Sequence, residues 1–183
     1  VDTQKYLRLV EDDHKLVCVD IEATGLKGDY NTILCVSLKP FGKKPYTYAV
    51  DKPGHDRKLV KWASEELRKY DVWVTYYGRG FDMPMINTRL LRWGYLPLEP
   101  RHHIDMYYSL KTKLLTARKS QGHLLAWLGT PEEKMTVSAT VGGEIIADPK
   151  KNMPIMIKRC ESDVEGLEAL YRRTCHLIID VRR

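Results

Sequence analysis

The chain has 183 residues, which suits one domain spanning 1–183 with a core that needs neither disulfides nor metal to hold it. Hydrophobic residues make up 43% and charged ones 30%, which excludes disordered and collagen-like classes, and no apolar run nears the roughly 20 residues that span a bilayer. Thirty basic against 24 acidic residues leave a net charge of +6, an excess that favours polyanionic partners without identifying one.

No secretory apolar segment opens the chain, and the start at Val1 is read as trimming or excision from a longer polypeptide; a soluble, cytoplasmic protein is expected. Strand signals come first: His14 to Ala23, Asn31 to Lys39 and Lys44 to Val50, separated by turns such as Gly25-Leu26-Lys27-Gly28 and Pro40-Phe41-Gly42. Their hairpin spacing predicts an antiparallel start. A helix over Asp56 to Tyr70 follows, with Leu59, Val60, Ala63 and Leu67 on one face, then a buried strand over Asp71 to Tyr76. Met83 to Trp93 reads as a helix ending before Gly94, Arg101 to Asp105 as a short strand, and Ser120 to Leu128 as a helix closed by Gly129. Gly142-Gly143 and Pro149 to Pro154 mark a looser stretch over 130–153, and a last helix is placed from about Pro154 to Ile179. The order βββ, then strands alternating with helices, predicts an α/β fold with a mixed sheet, antiparallel then parallel.

Cys18, Cys35, Cys160 and Cys175 stand far apart, with no zinc spacing, and read as buried free thiols. The acids are more informative. In Leu16-Val17-Cys18-Val19-Asp20-Ile21-Glu22 the strand alternation puts Asp20 and Glu22 on one face, at the end of a strand apolar on both sides. Alone the pair is equally an exposed strand end. Asp82, after Gly78 and Gly80, lies where a helix begins and is equally an N-cap. Asp163 falls inside the stripe Cys160, Val164, Leu167, Tyr171 and Ile178, while Glu161, Glu165 and Glu168 take the wetter positions. A carboxylate there needs a partner, either an ion or Arg159 one turn earlier. Four carboxylates, two from one strand end and one from each of two helices, match two Mg²⁺ or Mn²⁺ ions in charge and ligand type. With ions about 4 Å apart, that is the arrangement for two-metal phosphodiester hydrolysis.

Val19-Asp20-Ile21-Glu22-Ala23-Thr24-Gly25-Leu26 resembles the first motif of the DEDD superfamily of 3′–5′ exonucleases. Tyr77-Gly78-Arg79-Gly80-Phe81-Asp82-Met83-Pro84 resembles the second, N-G-x-x-F-D-x-P, and Cys160-Glu161-Ser162-Asp163-Val164 the third. His103-Ile104-Asp105-Met106-Tyr107-Tyr108, followed by Leu124-Leu125-Ala126-Trp127-Leu128-Gly129, is similar to the domains related to family B DNA polymerases. The resemblance implies a ribonuclease H-like fold with Asp20, Glu22, Asp82 and Asp163 as metal ligands and catalytic residues. It implies further that Ala23 (through its backbone), Thr24 and Leu26 hold the terminal nucleotide, with the leucine wedged against its base. Three departures stand out: Arg159 replaces the tyrosine usual four residues before the last aspartate, Lys158 the alternative histidine, and Tyr77 the asparagine of the second motif. A guanidinium cannot act as a base near neutral pH but can clamp a phosphate oxygen.

Tyr77 offers a face on which a base can stack, or a core role. Arg101-His102-His103 and Lys111, Lys113, Arg118 and Lys119 read as phosphate contacts or a solvated face, and the histidines as ligands of nothing. The leading expectation is a metal-dependent 3′–5′ exonuclease on single-stranded DNA ends, with RNA open as a substrate and no membrane association. The alternatives are a catalytically weakened nucleic-acid-binding module, and an RNase or structure-specific nuclease on the same fold.

Overall fold

The computed structural model describes residues 14–130 and 148–178. Leu16–Ala23 forms β1, Ile33–Pro40 β2 and Tyr46–Ala49 β3. Arg57–Leu67 forms α1, Val72–Thr75 β4, Asp82–Arg92 α2 and His102–Asp105 β5. Then come Met106–Leu110 (α3), Gln121–Leu128 (α4) and Pro149–Thr174 (α5), with a 3-10 turn at Cys175–Leu177. The strands join in one sheet of order β3-β2-β1-β4-β5. β1–β2 and β2–β3 are antiparallel, and β1–β4 and β4–β5 parallel, as the strand order in the sequence predicts.

β1 is central because both its faces are apolar, and alternation divides them. Val17, Val19 and Ile21 face the layer that holds α1 and α2, whereas Leu16 and Cys18 face α4 and α5. Buried Leu59, Val60, Ala63 and Leu67 hold α1 to the first layer, as the periodicity predicts. All four cysteines are free and buried.

A buried ion pair braces the turn that follows β1. Asp56, fully buried, accepts from Arg89 Nε and Nη2 at 2.8 and 2.9 Å, from Trp93 Nε1 at 2.8 Å and from the Ile33 amide at 3.0 Å. Arg89 Nη1 also donates to the Gly28 carbonyl at 3.0 Å. One carboxylate thus links α1, α2, the start of β2 and the β1–β2 turn.

Three expectations need correction. The last helix begins at Pro149, not Pro154: proline at the first helical position loses only an N–H that has no helical partner, and Asp148 caps the start by accepting from the Lys151 amide. It ends at Thr174, so Ile178 lies beyond it. Glu168 is buried, not wet, because Lys39, Arg172 and the Gly42 amide surround its carboxylate. Gly142-Gly143 lies outside the described residues.

Candidate active site

The strand alternation that sends Leu16 and Cys18 under α4 and α5 also points Asp20 and Glu22 towards α5. From α5, Asp163 projects between Cys160 and Leu167, on the stripe packed against the sheet, and is buried. Asp20, Glu22 and Asp163 each offer a carboxylate oxygen, and these lie within 4.8 Å of one another. Burial, followed by the charges of Asp82, Asp163 and Glu22, pushes the Asp20 carboxyl well above the usual carboxylate range. An oxygen-only group in which neighbouring carboxylates act on Asp20 in this way fits a hard divalent cation, which relieves the repulsion.

Asp82 takes a different position. It is the first residue of α2, the cap position belongs to Phe81, and its Oδ1 accepts from the Ile21 amide at 3.2 Å. That bond ties the start of α2 to β1, next to Asp20. Burial pushes the Asp82 carboxyl up to about 7, against the lowering effect of the backbone amides. Among the neighbouring charges, that of Asp82 acts most strongly on Asp20.

Arg159 points into the cluster and meets Glu22. Its Nε lies 2.8 Å from Glu22 Oε1 without the N–H being aimed at that oxygen, so the contact is an ion pair rather than a hydrogen bond. Lys158 is exposed. Cys160, which the sequence shows only as part of an apolar stripe, touches the site directly: its thiol lies 3.3 Å from both the carbonyl oxygen and Oδ2 of Asp20. Burial, then the neighbouring Cys35, holds that thiol protonated, so it donates. Gln121 Nε2 donates to the Asp163 carbonyl at 2.7 Å and fixes α5 against α4.

The turn after β1 carries the three residues expected to meet a nucleotide. Thr24 closes it: its amide donates to the Thr32 carbonyl and its Oγ1 accepts from the Thr32 amide, both at 3.0 Å. Ala23 is half-buried, and Leu26 is 78% exposed, a large apolar side chain left outside the core. Tyr77 has φ 66°, the left-handed region that asparagine tolerates and bulky residues rarely enter. Gly80 makes room for it, since a Cβ there would fall 2.5 Å from the tyrosine ring.

Of the basic residues, Lys119 turns inward to the Leu114 carbonyl and Thr116, while Lys111, Lys113 and Arg118 stay exposed and Arg101 faces Glu99 at 3.6 Å. His103 is structural: it bonds to Thr75 Oγ1 at 2.8 Å, and burial lowers it to about 4.

The family model of the RNase_H superfamily matches residues 17–139, two-thirds of the chain, and takes in all five described strands but for Leu16. The chain belongs to the RNase H superfamily. Its RNase H-like fold is similar to a solved structure of the family B DNA polymerase from the hyperthermophilic archaeon Pyrobaculum calidifontis, with a TM-score of 0.70 at 15% identity. The match covers 88% of this chain and 24% of that one, so the chain spans about a quarter of the polymerase. No curated protein matches this RNase H member. Among its described residues, no helix is long and apolar enough to cross a membrane.

Proposed function

We propose that the chain is a metal-dependent 3′–5′ exonuclease, acting on the 3′ ends of single-stranded DNA by a two-metal-ion mechanism. The observation that carries this reading is the meeting of Asp20, Glu22 and Asp163 within 4.8 Å on an RNase H fold. Asp20, Glu22, Asp82 and Asp163 would hold the two divalent ions, Mg²⁺ or Mn²⁺. When bound, such ions neutralise the carboxylates, activate the attacking water and stabilise the leaving oxygen.

The chain's own residues supply the rest. The Cys160 thiol holds Asp20 Oδ2 in one orientation, and the Ile21–Asp82 bond holds the start of α2 against β1. Arg159 cannot take a proton, so its part is to bind a phosphate oxygen once a cation has claimed Glu22. Ala23 and Thr24 position the terminal nucleotide, Leu26 meets its base, and Tyr77 stacks nearby.

A second reading, a nucleic-acid-binding module with weakened hydrolysis, draws support from the Arg159–Glu22 ion pair, because a guanidinium already sits on one expected ligand. Incubating 5′-labelled DNA and RNA oligonucleotides, with free or blocked 3′ ends, in Mg²⁺ or Mn²⁺ separates these readings. Ladders shortening only from free 3′ ends of DNA support the exonuclease. Binding without products identifies the module, and internal cuts or RNA products identify another nuclease.

A further inference from the structure

One buried carboxylate organises an aromatic cluster beside the acids. Asp105, 1% exposed, ends β5 and accepts four backbone amides: Tyr77 at 3.0 Å, Arg79 at 2.8 Å, Tyr107 at 3.1 Å and Tyr108 at 3.4 Å. It therefore fixes the turn after β4 and the first turn of α3 at once. The rings that this arrangement brings together are Tyr77 and Tyr108, nearly parallel at 23° with centroids 5.8 Å apart, and Tyr107, perpendicular to both. Lys111 Nζ stands 4.4 Å from the Tyr108 centroid.

Core packing does not account for this cluster. Tyr77 is 44% exposed, and its left-handed backbone costs about 1–2 kcal/mol that glycine or asparagine would avoid. Strain of this kind, held in place by a buried hydrogen-bond hub, collects at sites that bind something. Position gives the ligand class. β4 runs parallel to β1 and β5 to β4, so their C-terminal ends share one sheet edge; at about 5 Å per strand, Tyr77 follows a strand one spacing from β1, and Tyr107 and Tyr108 follow one two spacings away. A strand lying along that edge with its 3′ end at the acids would bring a base other than the one being cut to these rings. Lys111, standing over the Tyr107 and Tyr108 rings, supplies positive charge beside them, as a polyanion with flat bases requires.

We infer that Tyr77 and Tyr108, with Lys111, form a stacking subsite for an unpaired base upstream of the scissile nucleotide, with Lys111 on the adjoining phosphate. The inference rests on the nuclease reading only for its choice of single-stranded nucleic acid as ligand. The test is fluorescence anisotropy of a labelled oligo-dT in EDTA, which prevents hydrolysis, with one abasic position moved along the strand. One internal abasic position should weaken binding about tenfold, as loss of a single base–aromatic stack does. That loss should vanish in Tyr108→Ala, persist in Tyr108→Phe, and vanish again in Tyr77→Asn, which removes the ring while accepting the left-handed backbone. Equal affinity for every abasic position, or an undiminished loss in both Tyr108→Ala and Tyr77→Asn, overturns the subsite and leaves the nuclease reading intact. A positional effect in a chain that cuts nothing upholds the subsite and overturns the nuclease reading. No binding of the intact oligonucleotide overturns both.

Discussion

Removing the Arg159 guanidinium tests whether it competes with metal at the acid cluster. At 2.8 Å from Glu22 Oε1, two unit charges attract by about 1.5 kcal/mol in a water-like medium and about 6 kcal/mol at an effective dielectric near 20. The two side chains are 28% and 14% exposed, so solvent screens the pair toward the lower figure. A divalent ion arriving at Glu22 must displace this guanidinium or share the carboxylate with it. Arg159→Ala should therefore tighten Mn²⁺ binding by about tenfold, or about 1.4 kcal/mol. The same change should weaken oligonucleotide binding several-fold, because a phosphate contact is lost with the charge. Arg159→Tyr, which restores the residue usual in the polymerase-related exonucleases, should match the gain in metal affinity and raise turnover. Calorimetric titration with Mn²⁺ and single-turnover cleavage read the two effects separately. Unchanged Mn²⁺ affinity in both variants would refute the competition. Unchanged oligonucleotide affinity and turnover would remove Arg159 from the active centre altogether.

Saturating Mn²⁺ should raise the melting temperature by roughly 5–10 °C through preferential binding to the fold, and Asp20→Asn should abolish most of that rise without lowering the metal-free melt. A variant that melts lower yet keeps its Mn²⁺ response would make Asp20 structural. Asp82 titrates at about 7 in the fold against 3.8 for an ordinary aspartate, so the folded state binds the extra proton between those values. Its share of metal-free stability is therefore full below about pH 4 and lost as pH rises to about 7; urea melts of Asp82→Asn should show a shallower decline, and an identical slope would assign the titration elsewhere. Arg89→Leu strands the buried Asp56 carboxylate, which should cost about 3–5 kcal/mol and roughly 10 °C of melting temperature; a loss within 2 °C would show that water or protonation rescues Asp56.

How much of this was legible in the residues follows from how local each signal is. The alternation of β1 is a two-residue period, so the shared face of Asp20 and Glu22, and the central place of their strand, could be read directly. Asp163 inside an apolar stripe was equally plain, because helix periodicity repeats over several turns. Asp56 with Arg89 was not: the pair joins the cap of one helix to the last turn of another, and neither residue breaks its local pattern. Glu168 looked solvated because its partners come from the β2–β3 hairpin. Arg159 could be placed near the acids by helix spacing, which points to Asp163, but its contact with Glu22 depends on the packing of α5 on β1 and is not visible in spacing. Pro149 and Pro154 resembled a loop since proline marks both helix starts and turns. Asp105 was visible only as the end of a strand, although an aspartate just before Met106-Tyr107-Tyr108 is a capping pattern for a helix too short to show periodicity.

The route of the chain through the site bears on when the site comes into being. Among the described residues every strand lies before residue 106, so the described sheet, with Asp20 and Glu22 on it, belongs to the earlier part of the chain to be synthesised. Cys160 and Asp163 arrive on the last helix, and the thiol that steadies Asp20 comes from 140 positions downstream. Until α5 docks, two carboxylates stand on a half-covered sheet with neither their third partner nor the thiol, and the apolar face of Leu16 and Cys18 stays open to solvent. On the proposed reading, cation binding strong enough to matter would come last in assembly, after the contact of Cys160 with Asp20 has closed. On that reading, metal affinity in a series of chains lengthened from the N-terminus should switch on only once α5 is complete, so that a bound ion would report finished folding.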